Sequence, residues 1–314
     1  MTERRAISER PRPPVVTLDD IGGVLAQCCP TTRVFEIHNG PSGYSSQMWL
    51  ASTDEGQLLV RLPSRNVESE QARGMIVATR LASENEVPVV RFRAFMSDSS
   101  LGRPVLVQEF RRAERASAVV QERSSAVDEI ATVLGNWVAQ IHAINRDHFG
   151  SVLLRTEGAW GEIVLGKVRE ALDFLPASVI PRSRSTIESA FSRVVACLPT
   201  DIVPSLVHGD LYLDNVLVEG TRPVTLLDFE HSYFADRFAD FGKLEELLFG
   251  WFPASKLPFL EAYHHHFPPQ DGDDSRYLLA IGLYELSQLA YFMRWQPELA
   301  PEYRDRLQSW LNRT

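Results

Sequence analysis

His208-Gly209-Asp210-Leu211-Tyr212-Leu213-Asp214-Asn215, followed by Leu226-Leu227-Asp228-Phe229-Glu230, is the stretch on which the reading of the fold turns. Its polar residues end or interrupt short apolar runs, Leu206–His208, Val216–Val218 and Val224–Phe229. That spacing predicts carboxylates at the tips of short buried strands. A buried carboxylate is costly unless it is paired or coordinates a metal. Two such carboxylates close in sequence therefore suggest one shared metal site.

Transfer of a phosphoryl group needs this set of groups. One carboxylate accepts the proton of an attacking hydroxyl, while an amide oxygen and a second carboxylate hold Mg²⁺, a hard cation that takes oxygen ligands. Asp210 and Asn215 share one loop, so a base and a metal ligand can face the same phosphate. Asp228 follows a hairpin-length connection through Gly220, which returns it beside Asn215. The alternative is a set of buried caps and turn residues with no chemistry.

Working outward, the chain divides by pattern. Asp19 and Asp20 can cap a short helix to about Gln27. Val34–His38, Gln47–Ala51, Leu58–Leu62, Val87–Phe95 and Pro104–Phe110 read as strands, with Thr53-Asp54-Glu55-Gly56 as a hairpin turn. Glu68–Ser83 is helical in character. From Ala126 to Asn145, Val127, Ile130, Val133, Leu134, Trp137, Val138, Ile141 and Ile144 keep a 3.6-residue period, which predicts a long amphipathic helix. Gly161–Leu175, Ser185–Cys197, Phe241–Gly250, Lys256–His266 and Tyr277–Trp295 are further helical segments.

The loop segment resembles the catalytic and metal-binding loops of the aminoglycoside phosphotransferase family, which also covers macrolide, choline and related kinases. The resemblance spans roughly residues 30–300, but only the loops are specific. It implies a protein-kinase-like bilobal α+β fold, with a small five-stranded antiparallel N-lobe and a larger, mainly helical C-lobe. The corresponding division is a flexible tail over 1–16, a nucleotide-binding N-lobe over 17–108, a hinge over 109–113 and a C-lobe over 114–314. The resemblance makes Asp210 the catalytic base, and Asn215 and Asp228 the Mg²⁺ ligands. Asp240 matches the aspartate that braces the catalytic loop in the family. His142, on the long helix, reads as a packing residue.

The nucleotide side departs from the family pattern. Gly43, Ser45 and Ser46, in Gly40-Pro41-Ser42-Gly43-Tyr44-Ser45-Ser46, can let backbone N–H groups approach phosphates. A plain hairpin turn is the other reading. The family places a lysine on the next strand, yet no lysine precedes Lys167, and Arg61 stands in register. An arginine keeps the charge but differs in geometry. The family's acidic partner falls near position 74, which is Gly74 here, so Glu70 is the candidate one turn earlier. Glu109 and Phe110 occupy the hinge that binds adenine through backbone groups, with Arg111 and Arg112 where a glycine is frequent. Leu217 and Leu227 suit the apolar floor under adenine.

Composition sets outer bounds. The chain of 314 residues is 44% hydrophobic and 23% charged, as in ordinary globular proteins. No apolar run is long enough for a membrane span, and the Arg- and Pro-rich start is no secretory signal. Three cysteines without metal spacing point to a reducing cytoplasm and no disulfide framework. The net charge of −9 is uneven: residues 200–314 carry 9 basic and 18 acidic side chains, while the remainder balances. That bias argues against nucleic acid as a partner. It suits a cationic substrate, although a solvated acidic surface accounts for it equally. His264-His265-His266 cannot converge on one metal from a helix, and the acidic loop Asp271–Asp274 reads as a helix cap.

The function implied is transfer of phosphate from ATP or GTP, with Mg²⁺, to a hydroxyl of a small molecule, in a cytoplasmic monomer or dimer. An antibiotic of aminoglycoside or macrolide type leads. A metabolic kinase for choline, an amino alcohol or a sugar is the alternative, and a nucleotide-binding regulator without catalysis is the second.

Overall fold

The computed structural model of the chain describes residues 16–41, 46–63 and 69–314. Of the sequence features read above, residues 1–15 of the tail, Gly43 and Ser45 lie outside the described residues.

The N-terminal part holds a five-stranded antiparallel sheet of β1 (Val34–Asn39), β2 (Ser46–Thr53), β3 (Gly56–Pro63), β4 (Phe92–Met96) and β5 (Val105–Glu109), in the order β1-β2-β3-β5-β4. Successive strand side chains face opposite ways. Leu58, Val60 and Leu62 of β3 therefore pack with Trp49, Val105 and Val107 under α1 (Leu18–Cys28). Leu59 and Arg61 of the same strand face the other side, toward α2 (Ser69–Glu84) and a cleft. Alternation along one strand thus delivers Arg61 to the cleft. The start of α1 differs in detail from the expectation. Thr17, not an aspartate, is the N-cap, and Asp20 completes a capping box with it.

The strand expected over Val87–Phe95 begins only at Phe92. Pro88 has no N–H to give a ladder, and its carbonyl instead accepts from Leu226 N–H at 2.7 Å. Val89 forms a parallel bridge with Leu226. This short segment therefore ties the N-terminal part to the strand that precedes Asp228.

The C-terminal part is built on α4 (Val127–His142). Ile130, Leu134, Val138 and Ile141 bury one stripe of it. The opposing helix α8 (Lys256–His266) approaches closely at Gly135, where a Cβ would stand 2.4 Å from the Phe259 carbonyl oxygen. A short α3 (Ala116–Glu122) precedes α4, and β6 (Glu114–Arg115) joins β10 (Val216–Glu219) and β11 (Arg222–Leu226) in a three-stranded sheet. A second small sheet contains β7 (Phe149–Ser151), β8 (Arg155–Thr156), β9 (Ser205–Val207) and β12 (Tyr233–Ala235). A separate core joins α5 (Trp160–Phe174), α6 (Arg184–Ala196), α9 (Asp273–Trp295) and α10 (Ala300–Leu311). The helix expected over Phe241–Gly250 divides into α7 (Phe241–Leu244) and a π-helical turn, Glu245–Phe249. Such turns re-aim side chains and are frequent at functional sites. Among the described residues, no helix is long and apolar enough to cross a membrane.

Candidate active site

The loop between β9 and β10 is set from below. Gly209 has φ +77°, and a Cβ there would lie 2.2 Å from the His231 carbonyl oxygen, so only glycine fits. Its neighbours are fixed by Asp240. That carboxylate accepts from the N–H groups of His208 (2.8 Å) and Gly209 (2.7 Å) and from His142 Nε2 (3.0 Å). Nε2 donates to the Asp240 carboxylate, which can only accept, while His142 Nδ1 lies 2.9 Å from the Tyr263 hydroxyl. Burial opposes ionisation of Asp240, but these donors outweigh it and hold the carboxyl below its ordinary pKa. His142, expected as packing, is thus a buried donor to the brace. His208 joins the two loops. Its Nε2–H donates to the Leu227 carbonyl (2.8 Å) and its Nδ1 accepts from Asp210 N–H (3.2 Å). Burial lowers the His208 pKa, in keeping with the single-proton ring that this pattern requires.

Above this base stands Asp210. The Asn215 amide nitrogen donates to the Asp210 backbone oxygen (2.9 Å) and to its Oδ2 (3.0 Å). Lys243, from α7, pairs with Asp210 Oδ1, and its ammonium lies 4.5 Å from the centre of the Tyr212 ring. Burial and the nearby Asp210 push the Tyr212 phenol up to about 12. The β10–β11 register sets Val216 opposite Leu226, and Leu227 N–H donates to the Asn215 carbonyl at 2.8 Å. Asp228 is therefore delivered next to Asn215, as the sequence spacing predicts. It sits at φ 62°, ψ 66°, a left-handed conformation that costs a non-glycine residue energy and that clusters at functional sites.

Arg61 faces these carboxylates from the sheet. Its guanidinium lies 3.5 Å from Asp228 Oδ1 and 3.6 Å from Glu230 Oε2, with Met75 Sδ at 3.8 Å. Glu70 is not its partner, which corrects the expectation. Glu70 is exposed on the first turn of α2, and the helix face over Arg61 presents Met75 instead. The role passes to Glu230, which also receives Gln71 Nε2 at 3.5 Å. Burial and the adjacent Asp228 charge raise the Glu230 pKa, and Arg61 opposes that rise.

Ser46 stands at the start of β2 opposite Pro63, buried and apart from the cleft wall. Pro41 and Met48 line the cleft near it. Glu109, Phe110, Leu217 and Leu227 all line the cleft. The N–H groups of Glu109 and Phe110 are already given to the carbonyls of Arg91 and Gln57, both at 2.9 Å. The backbone groups that these two residues leave open to the cleft are therefore their carbonyls.

The cleft holds about 1170 Å³. That exceeds the usual 300–1,000 Å³ of a single-ligand pocket and leaves room for two ligands. One end is walled by Leu59, Val90, Phe92, Gln108, Leu217 and Leu227. The other is walled by Trp160 and Lys167 of α5, Tyr233, Glu246 of the π turn, and Tyr284 of α9. Nothing in the sequence of α5 marked it as part of this wall. Lys243 was missed as well, because no local pattern marks a residue that meets Asp210 only in three dimensions.

No group of three or more His, Cys, Asp or Glu side chains converges to hold a metal among the described residues. His266 contacts Asn136 at 3.3 Å, and Asp273 is taken by Arg237 and Arg276. The donor set around Asn215 and Asp228 does fit Mg²⁺. With its nitrogen committed to Asp210, Asn215 keeps a carbonyl oxygen, and Asp228 supplies a carboxylate. Mg²⁺ habitually takes one or two protein oxygens and fills its octahedron with phosphates and water.

The model of the phosphotransferase enzyme family matches residues 36–279. Among solved structures, aminoglycoside phosphotransferase APH(4)-Ia superposes with a TM-score of 0.71 at 11% identity, over 94% of this chain and 99% of its own. A thermostable mutant of that enzyme, in ternary complex with AMP-PNP and hygromycin B, gives 0.70 at 11% identity, over 93% and 98%. A candidate fructosamine-3-kinase from Thermobifida fusca YX-ER1 gives 0.68 at 17% identity, over 94% and 98%. At these identities the likeness is one of fold.

Proposed function

Since the chain belongs to the phosphotransferase enzyme family, we propose that it moves the γ-phosphate of ATP to a hydroxyl of a small molecule, with Asp210 as proton acceptor and Asn215 and Asp228 as Mg²⁺ ligands. The observation that carries this is the arrangement at the centre of the cleft. Asp210 is held on both carboxylate oxygens, by Asn215 and Lys243, beside a left-handed Asp228.

Each residue then has a defined task. Asp210 keeps free lone pairs on its carboxylate and takes the acceptor's hydroxyl proton. Lys243 and Asn215 restrict its rotation, so the proton acceptor is positioned before substrate arrives. Arg61 presents a guanidinium to phosphate oxygens from above, and Glu230 holds it there. Leu59, Leu217 and Leu227 enclose the base in an apolar slot. When bound, Mg²⁺ neutralises charge on the phosphates and orients them. The complexed neighbour, with its nucleotide analogue and hygromycin B, supports one nucleotide and one hydroxylated molecule sharing such a cleft. The intact carboxylates support a kinase over a non-catalytic regulator.

The test is acceptor-dependent ADP release, using the best substrate from a panel of aminoglycosides, macrolides, choline, amino alcohols and sugars. Asp210→Asn should lower kcat by about 10²–10⁴, the usual worth of a positioned base, with nucleotide affinity little changed. Turnover near the wild-type rate would remove Asp210 from the chemistry.

A further inference from the structure

The excess of acid in the last third of the chain suggested a cationic substrate, but the cleft does not present that excess as free charge. At the acceptor end, Asp236 is taken by Arg276 at 2.6 Å and by the Phe238 N–H at 3.0 Å. Glu246 accepts from the hydroxyls of Tyr303 (2.8 Å) and Tyr284, and Arg306 lies 3.2 Å away. Asp240 is held by the three donors beneath the loop, and Asp210 by Lys243 and Asn215. A polycation entering here would meet carboxylates that already have partners.

Lys167 is the reverse case. It lines the cleft and stays accessible from it. Among the described residues it makes no ion pair. Its ammonium instead stands over aromatic faces, 4.7 Å from the centre of the Tyr233 ring and 5.8 Å from that of Trp160. Such contacts stabilise the charge without an anionic partner, and the exposed N–H donors stay open to the oxygens of a ligand. Desolvation in this setting lowers the Lys167 pKa, and Glu170, one turn along α5, only partly opposes this through space. An accessible ammonium with no ion pair among the described residues, on a wall of aromatic rings, favours an anion attached to an apolar body.

Given the reading of this cleft as a small-molecule kinase, we infer that its acceptor is a hydroxylated carboxylate with an aromatic or apolar body, whose carboxylate binds Lys167 beside Trp160 and Tyr233. The hydroxyl then points to Asp210 at the centre of the cleft. This is the opposite charge preference to that of an enzyme built for polycations.

Three matched acceptors test this: 4-(hydroxymethyl)benzoate, its methyl ester, and 4-(aminomethyl)benzyl alcohol, with kanamycin as a polycation. ADP release from Mg·ATP reads turnover, saturation-transfer NMR reads binding of each compound, and calorimetry reads Mg·ATP binding separately. The acid should exceed the ester and the amine in kcat/KM by about tenfold or more, the scale of one charge-assisted contact. Lys167→Met should abolish that advantage through KM, Lys167→Arg should retain most of it, and Lys167→Glu should shift preference to the amine. Preference for the amine or kanamycin, an unchanged ratio in Lys167→Met, or failure of the acid to bind would each overturn the inference. Failure of the wild type to bind Mg·ATP would instead sink the kinase reading beneath it.

Discussion

Asp240, beneath the loop that carries Asp210, and Arg61, above it, are both buried charges, yet they are held in different ways. Asp240 receives three short N–H donors, two of them from the backbone of the loop it supports. Arg61 makes two ion pairs near the outer limit, at 3.5 and 3.6 Å, both to residues from the opposite wall, and its Nε has no partner among the described residues. The floor of the cleft is therefore rigid and self-contained. The roof is held loosely by the same carboxylates that a metal and phosphates would engage. Glu285, on α9, is a third case. It is buried, with no partner for Oε2 among the described residues and Arg306 at 3.8 Å. The three residues show that what a buried charge does depends on how many donors or acceptors reach it, and from where.

The largest expected effect tests the floor. Asp240→Ala would strand His142 and two backbone donors, and breaking such a buried set costs about 3–5 kcal/mol. Urea unfolding should show that loss, and a loss below about 1 kcal/mol would mean that Asp240 is held no more firmly than an exposed ion pair.

Next comes Glu285, whose carboxyl is pushed from an ordinary 4.5 to about 7, mainly by burial. The folded state then holds a proton that the unfolded state has released across this interval. Stability is accordingly fullest below the unfolded value and falls as pH rises from 4.5 through about 7. The fall should amount to roughly 3 kcal/mol, and Glu285→Gln should flatten it. Urea midpoints of both proteins at pH 5 and pH 8 measure this, and equal pH slopes would mean that Glu285 finds a partner in solution.

The roof should respond least. Arg61→Ala is expected to reduce kcat/KM by about 1.5–3 kcal/mol, and Arg61→Lys to recover part of that loss. A double-mutant cycle with Glu230→Gln should show coupling of about 0.5–3 kcal/mol, whereas Glu70→Gln should add independently. Coupling to Glu70 instead would restore the partner expected from sequence.

These contrasts also explain what could be read from the chain beforehand. The β10–β11 hairpin is local, so the spacing of Asp210, Asn215 and Asp228 was enough to bring them together. The five strands and α4 were legible because a period of 2 or 3.6 records burial along one element. Val87–Phe95 was misjudged as one strand because Pro88 and Val89 pair with a strand far along the chain.

What the sequence determined by itself was the α+β class, the two-part order of strands before helices, and the cluster of Asp210, Asn215 and Asp228. Each depends on neighbours within one hairpin or on one repeating period. Tertiary structure alone decided that Glu230 rather than Glu70 faces Arg61, that Lys243 reaches Asp210, and that Lys167 stands over the ring of Tyr233 in the cleft wall. Those pairings join residues from separate elements. A side chain's partner across such a distance is chosen by how helices and strands pack, which no local pattern encodes.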